Sequence, residues 1–245
     1  MRLIDNLFAY VWAGKGNNCH SYLFSDVLSG KRPHVLIDPG CVLNEMKEPC
    51  LDKLTASIIQ DGMKPEEIGL IIITHSHIDH CEASEDFASM GSETATDKTR
   101  AFITLSKTED EYRRGIGLRV HRMIGMTPED FEPDFYLHEG ELNLGKRFTL
   151  QISSTPGHSP GSISIYDPQH KALVTGDVVF NKSVGRTDFP GGDSKILKRS
   201  IERLSILDVE YLLPGHSTEF GNIIQGKEEV EENFAFIEKN YFPLL

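Results

Sequence analysis

The chain has 245 residues, of which 39% are hydrophobic, and 25 Lys and Arg against 37 Asp and Glu give a net charge of -12. This length and composition are typical of a globular protein with a substantial core, so we expect one domain over residues 1–245. The acidic charge repels polyphosphate and argues against nucleic-acid binding. No apolar run reaches the roughly 20 residues of a membrane span and no signal-peptide pattern is visible, which predicts a cytoplasmic protein.

Short runs rich in Val, Ile, Leu and aromatic residues predict strands. In chain order these runs are 20–24, 34–37, 70–74, 101–105, 147–153, 162–166, 172–175 and 210–213. Helical spacing of apolar residues predicts three helices, with shared faces formed by Leu51, Leu54 and Ile58, by Ile196, Leu197, Ile201 and Leu204, and by Val230, Phe234, Ile237 and Tyr241.

Strands that alternate with helices indicate an α/β protein in which sheets lie in the middle and helices outside. The second helix follows Asp193 and Ser194, either of which can cap its free amides. Residues 107–133 are interpreted as a helical or loop excursion over one edge. Four cysteines without a CxxC pair are expected to be reduced, buried thiols.

A cluster of metal-ligand residues follows the apolar strand at 70–74: His75, His77, Asp79 and His80 lie within six residues. Alternating strand side chains point to opposite faces, so the four could converge only if the backbone turns. We therefore expect a loop here. Imidazoles and carboxylates are common ligands of zinc and iron, and packing them together without a cation would be costly.

Three more strands each end in a ligand-type residue beside glycine, namely His158 in TPGHSPGS, Asp177 in TGD and His216 in PGH. Ligands at strand ends lie along one rim of the sheets. Seven ligands exceed the needs of one four-coordinate zinc but suit two metals that share a bridging carboxylate. Asp177 is the natural bridge.

The motifs THSHIDH, TPGHSPGS, TGD and PGH, in this order, resemble those of the metallo-β-lactamase superfamily, and the similarity extends from NCHSYLF and LIDPG to PGHST. The resemblance implies an αββα four-layer sandwich with a metal site at one edge of the two sheets. It assigns His75, His77 and His158 to the first metal, Asp79, His80 and His216 to the second, and Asp177 to both. Asp38 of LIDPG resembles the family's aspartate that orients the histidine loop by hydrogen bonds.

The expected reaction is hydrolysis of a thioester or ester by a metal-bound hydroxide, as in glyoxalase II. Asp79 is the predicted catalytic residue, because besides binding metal it would orient the nucleophile or accept its proton. The segment 185–193, GRTDFPGGD, is similar to one in compact relatives of glyoxalase II and in persulfide dioxygenases. In it Arg186 is a candidate for binding a substrate carboxylate, with an ion pair to Asp188 or Asp193 as the alternative; Lys182 is a further candidate.

The alternatives are a mononuclear iron persulfide dioxygenase that uses only His75, His158 and Asp177, and a non-catalytic metal-binding module. We expect two divalent ions, zinc before iron or manganese, and a small-molecule substrate rather than nucleic acid or a membrane. A homodimer through apolar C-terminal residues is a further option. The remaining histidines match no ligand position and are interpreted as packing or surface residues: His20, His34, His121, His138 and His170.

Overall fold

The computed structural model describes residues 1–92, 100–123, 131–145 and 148–245. Two compact units are formed. The first contains Met1–Leu105, Pro128–Tyr136 and Asn143–Phe148, and the second contains Ser106–Thr127, Leu137–Leu142 and Thr149–Leu245. The expectation of a single domain over 1–245 stays a prediction.

The first sheet has its strands in sequence order from β1 to β7. They are β1 (Arg2–Ile4), β2 (Leu7–Tyr10), β3 (Ser21–Phe24), β4 (His34–Ile37), β5 (Ile68–Ile72), β6 (Phe102–Ser106) and β7 (Phe135–Leu137). Neighbours from β1 to β4 are antiparallel, whereas β4, β5 and β6 run parallel. The carboxyl ends of β4 and β5 therefore lie at the same edge, where Asp38 and the segment after Ile72 follow.

Three helices accompany this sheet: α1 (Cys50–Gln60), α2 (Ile78–Cys81) and α3 (Ser84–Ser89). A 3-10 turn covers Pro65–Glu67. Leu54 and Ile58 of α1 and Phe87 of α3 join Leu36 and Ile71 of the sheet in one buried cluster. Burial of this apolar surface holds the strand ends in place.

The second sheet has the order β15, β14, β11, β10, β9, β8. Its strands are β8 (Gly140–Gly145), β9 (Phe148–Ser154), β10 (Ile163–Asp167), β11 (Ala172–Gly176), β14 (Tyr211–Pro214) and β15 (Ile224–Gln225), and a separate hairpin joins β12 (Val179–Phe180) to β13 (Ser183–Val184). Because β10 is antiparallel to both β9 and β11, and β14 is parallel to β11, the strands β9, β11 and β14 all run the same way.

The second unit contains α4 (Lys107–Tyr112), α5 (Leu118–Met123), α6 (Ser194–Leu204) and α7 (Lys227–Asn240). A π-helical turn, Arg113–Gly117, joins α4 to α5. Leu197 and Ile201 of α6 pack with Phe234 and Ile237 of α7 against Leu173 of β11. Asp193 caps α6, since its side chain accepts a hydrogen bond from the Ile196 amide.

The predicted α/β class with two main sheets is confirmed. Each of the eight predicted strands overlaps an observed strand, with bounds shifted by at most two residues within the described ranges; Arg147 lies outside them. The excursion predicted at 107–133 is helical from Lys107 to Met123, and its residues 124–130 lie outside the described ranges. Among the described helices, none has the length and apolarity that crossing a membrane requires.

Candidate metal-binding residues

The first set of ligand candidates follows β5 in the first unit. His75 lies in the segment after Ile72, and His77 adopts extended backbone angles at the start of α2. The expectation of a continuous loop is only partly met, because Asp79 and His80 lie on the helical turn α2. The amides of His80 and Cys81 donate to the His77 carbonyl, which explains why this short segment closes into a turn.

Asp38, directly after β4, is bonded to the same segment. Its Oδ1 accepts the Thr74 amide at 2.7 Å, and its Oδ2 accepts the Thr74 hydroxyl at 2.6 Å. Oδ2 also lies 2.8 Å from Nδ1 of His80. Both Asp38 and His80 are buried. These contacts place the Nδ1 proton of His80 on the Asp38 side and therefore the lone pair of neutral His80 on Nε2, the atom through which it could bind a metal.

His75 is fixed in the same way through a shared hydroxyl. The Thr74 hydroxyl donates its proton to Asp38, so its oxygen acts as the acceptor for Nδ1–H of His75, 3.1 Å away. The Nε2 lone pair of His75 then lies 3.1 Å from Nδ1 of His77. This is the distance of a hydrogen bond between the two rings, and two nitrogens bound to one zinc at about 2.0–2.1 Å are roughly 3.4 Å apart, so a common ion would require only a small shift.

Asp79 has a partner that the sequence did not point to. The side-chain amide of Asn17 donates to Asp79 Oδ2 at 2.7 Å. The backbone amide of Asn17 is in turn bound by the carboxylate of Glu45, at 2.9 and 3.1 Å. The Asn17 side chain therefore fixes the position of one oxygen of Asp79. Its only sequence signal is its place directly after Gly16.

The second set lies in the second unit, where strand direction explains its assembly. Because β9, β11 and β14 run the same way, their carboxyl ends meet at one edge of the sheet. His158 follows β9, Asp177 follows β11 directly, and His216 follows β14. The sheet thus brings together three residues that are spread over about sixty positions of the chain.

The distances within this set fit a bound cation. His158 Nδ1 lies 2.7 Å from the Arg186 carbonyl, which can only accept, so the proton is on Nδ1 and the lone pair on Nε2. Asp177 Oδ2 is 3.6 Å from Nε2 of His158 and 3.5 Å from Nε2 of His216. These separations exceed a normal N–H···O hydrogen bond, and neutral His158 would direct its Nε2 lone pair at the carboxylate, an arrangement that a cation between the two groups would stabilise. The donors present therefore suit divalent metal ions.

Arg186 and Lys182, the predicted substrate contacts, are both exposed. Arg186 forms a two-pronged ion pair with Asp188, at 2.7 and 2.6 Å, and lies over the ring of Phe189. This pairing lowers the pKa of Asp188 to about 2. Of the two roles considered for Arg186, the ion pair with Asp188 is the one that the structure contains.

Lys182 has a left-handed backbone (φ 51°), and its amide donates to the side chain of Asn233 on α7. Its ammonium lies 5.7 Å from the ring centres of both Phe220 and Phe236. The Lys182 side chain is therefore placed over an aromatic pair.

The remaining histidines and cysteines lie as expected of packing and surface residues. His20, His34 and His170 are buried, His121 is partly buried and His138 is exposed. All four cysteines are buried and free. Cys81 donates to the Ser76 carbonyl and Cys19 to the Asp38 carbonyl, both at 3.5 Å.

The two sheets with their helices make the chain an α/β protein, and its grouped His and Asp side chains are typical of metal-binding proteins. The family model described as "Metallo-beta-lactamase superfamily" matches residues 14–216, so the chain belongs to this superfamily and the predicted fold is confirmed. The match runs through both sets of ligand candidates.

Two curated relatives and one solved structure illustrate the similarity. The hydroxyacylglutathione hydrolase GloC of Haemophilus influenzae is 31% identical, over 68% of this chain and 82% of that protein. The acyl-coenzyme A thioesterase MBLAC2 of Gallus gallus is 31% identical, over 84% of this chain and 75% of its own length. The crystal structure of TTHA1623 in a di-iron-bound form has a TM-score of 0.68 and 30% identity, over 97% of this chain and 100% of that one.

Proposed function

We propose that the protein is a metal-dependent hydrolase that cleaves thioesters by adding water to the acyl carbon. The observation that carries the proposal is the state of three buried imidazoles. His75, His80 and His158 each have Nδ1 bonded to an oxygen, which puts the lone pair of the neutral ring on Nε2, the nitrogen that would bind a metal. Three histidines that served only packing would not all need an oxygen partner at Nδ1.

The order of motifs in the superfamily supports the ligand assignment. We assign His75, His77 and His158 to a first divalent ion, and Asp79, His80 and His216 to a second, with Asp177 shared. The existence of a di-iron-bound relative supports a pair of ions. Zinc is the expected metal, with iron or manganese as alternatives.

Bound divalent ions would lower the pKa of a water to about 7 and polarise the acyl carbonyl. Asp79 orients the attacking water and takes its proton, while Asn17 holds the Asp79 carboxylate in place. Water adds to the acyl carbon, the carbon–sulfur bond breaks, and the proton passes to the departing sulfur. The products are a carboxylic acid and a thiol, with no other reactant.

The relatives support a thioester substrate. Hydroxyacylglutathione and acyl-coenzyme A, the substrates in their names, both join an acyl group to a thiol sulfur. Both thiols carry anionic groups, for which exposed Lys182 is a suitable partner. Arg186 would serve the same purpose only by exchanging Asp188 for the substrate carboxylate.

We place the protein in the cytoplasm, since four free, buried cysteines suit a reducing compartment. A homodimer stays a prediction.

The test uses the full chain, stripped of metal and then loaded with zinc, iron or manganese. S-Lactoylglutathione, acetyl-coenzyme A and an oxygen ester with the same acyl group are compared by the release of thiol or acid. We expect metal-dependent release of thiol and weaker action on the oxygen ester. His77→Ala should abolish the reaction, whereas His138→Ala, an exposed histidine outside both ligand sets, should leave it unchanged.

Two results would contradict the proposal. One is thioester hydrolysis at the same rate without metal or with His77→Ala. The other is a protein that binds a single iron, leaves every thioester intact and consumes oxygen with glutathione persulfide, which would establish the dioxygenase instead.

A further inference from the structure

Helix α4 carries a buried carboxylate that the proposed chemistry does not use. Glu109 has no exposed surface. It is the fourth residue of the pattern Ser106-Lys107-Thr108-Glu109, which is that of a capping box. Ser106 caps the helix, because its hydroxyl accepts the Glu109 amide at 3.1 Å. The glutamate of a capping box ordinarily serves its own helix and stays near solvent, so complete burial of Glu109 calls for another reason.

The Glu109 carboxylate binds the loop that carries His158. Its two oxygens accept the Ser159 hydroxyl at 2.6 and 2.7 Å, and one of them accepts the Gly161 amide at 2.8 Å. Ser106 adds a bond in the opposite direction, since its hydroxyl donates to the Gly161 carbonyl at 2.6 Å. The approach is close enough that a Cβ on Gly161 would lie 2.2 Å from the Glu109 nitrogen. Burying a charge is costly, and these bonds offset the cost only with the loop in this one conformation.

The same helix also holds the segment that fixes the proton of His158. The Tyr112 hydroxyl donates to the Pro190 carbonyl at 2.7 Å. Pro190 lies four residues after Arg186, whose carbonyl accepts the Nδ1 proton of His158. Helix α4 therefore contacts both the chain that follows His158 and the segment that orients its ring.

We propose that Glu109 is a positioning residue for His158, which acts through Ser159 and Gly161 to hold the imidazole ready for metal. This inference rests on one part of the proposed function, namely that His158 is a metal ligand. It requires no particular substrate. Its test is therefore metal affinity, measured on the stripped full chain with zinc alone against a competing chelator, and repeated with cobalt to follow its absorption spectrum.

The variants are Glu109→Gln, Glu109→Asp and Ser159→Ala, and the matched control is Asp110→Asn. Asp110 is the next residue of α4 and is also buried, and its carboxylate forms ion pairs with Arg113 and Arg114. We expect Glu109→Gln to raise the zinc Kd by about tenfold to a hundredfold, as loss of a residue that orients a ligand typically does. Ser159→Ala should raise it in the same direction, and Glu109→Asp, which keeps the charge, should restore part of the affinity.

Asp110→Asn should lower the free energy of unfolding and leave the zinc Kd and the cobalt spectrum as in the wild type. Equal zinc affinity in the wild type, Glu109→Gln and Ser159→Ala would overturn the inference and leave the proposed hydrolase standing. An equal loss of affinity in Asp110→Asn would also overturn it, because the effect would then be general destabilisation. A protein whose zinc affinity depends on Glu109 but which hydrolyses no thioester would support the inference and contradict the proposed function.

Discussion

The side-chain amide of Asn17 donates a 2.7 Å hydrogen bond to Asp79, the predicted catalytic carboxylate, across 62 residues of sequence. Because an amide N–H donates and cannot accept, Asn17 orients the Asp79 carboxyl group without taking a proton from it. Glu45 holds the Asn17 backbone in turn. The loop before β3 therefore supports the proposed chemistry.

Asn17→Ala should lower kcat/KM for a thioester by about tenfold to a hundredfold, because a misoriented Asp79 places the attacking water poorly. Asn17→Asp should lower it further, since two carboxylates would repel each other. Steady-state kinetics with zinc content measured in parallel checks both, and Asn240→Ala, an exposed amide at the end of α7, is the control. Unchanged kinetics in both Asn17 variants would show that the hydrogen bond has no catalytic part.

Asp38 binds Thr74 and His80 together, so its carboxylate supports both the segment after β5 and the candidate metal ligand His80. Asp38→Asn should lower zinc affinity by about tenfold to a hundredfold and the free energy of unfolding by about 1–3 kcal/mol. Asparagine tolerates the left-handed backbone at Asp38 (φ 51°), so the change reports on charge and hydrogen bonding.

The matched control is Asp26→Asn, the same change at an exposed residue with φ 60°. Denaturant unfolding and zinc competition measure the two quantities. If Asp26→Asn and Asp38→Asn lose equal stability and neither loses zinc affinity, Asp38 has no orienting role.

Residues close in sequence to a strand end could be predicted, and residues that reach the site from elsewhere could not. His75 and His158 each follow an apolar run that predicts a strand by itself, so the place of each residue at the end of a strand follows from local pattern. Asn17 and Glu109 lie in segments with the composition of ordinary surface. Glu109 in particular lies in a highly charged stretch, and its burial depends on a contact with Ser159, fifty residues away, which only tertiary packing specifies.

Of the strands that were not predicted, β12, β13 and β15 are the shortest. The pairs β12 with β13 and β14 with β15 include strands of two residues, whose pairing depends on neighbours already in place. The turn α2 was interpreted as loop because ligand residues mask any helical pattern in so short a segment. The hydrogen bonds from the His80 and Cys81 amides to the His77 carbonyl make this segment helical, which corrects the prediction of a loop.

The contribution of Glu48 to the stability of the fold, through its hydrogen bonds to the loop that carries Asn17, should depend on pH. Hydrogen bonds from the Asn44 side chain, the Gly16 amide and Lys53 lower the pKa of Glu48 from 4.5 to about 2. A lowered pKa stabilises the fold above the ordinary pKa, and this contribution is lost as pH falls through the folded value. The wild type should therefore lose, between pH 4.5 and about 2, a contribution that Glu48→Gln lacks at every pH.

Urea unfolding of both proteins across this range checks the prediction, with Glu238→Gln on α7 as the control for removal of one exposed carboxylate. The stability difference between the wild type and Glu48→Gln should narrow as the solution is acidified. A difference that is constant with pH would contradict the assignment.

Substitution of Gly157, the residue before His158, tests whether close packing against α6 holds the His158 loop in place. Its φ is 133°, and a Cβ there would lie 2.3 Å from the Leu197 nitrogen at the start of α6. Gly157→Ala should therefore cost about 3 kcal/mol or more of unfolding free energy and weaken zinc binding, since the loop must move away from α6. Gly30→Ala is the matched control: φ is 103° and no atom lies within 4 Å of its Cβ, so it should show only the backbone cost of about 1–2 kcal/mol. Equal losses in the two variants, measured by denaturant unfolding, would mean that close packing against Leu197 does not hold the His158 loop in place.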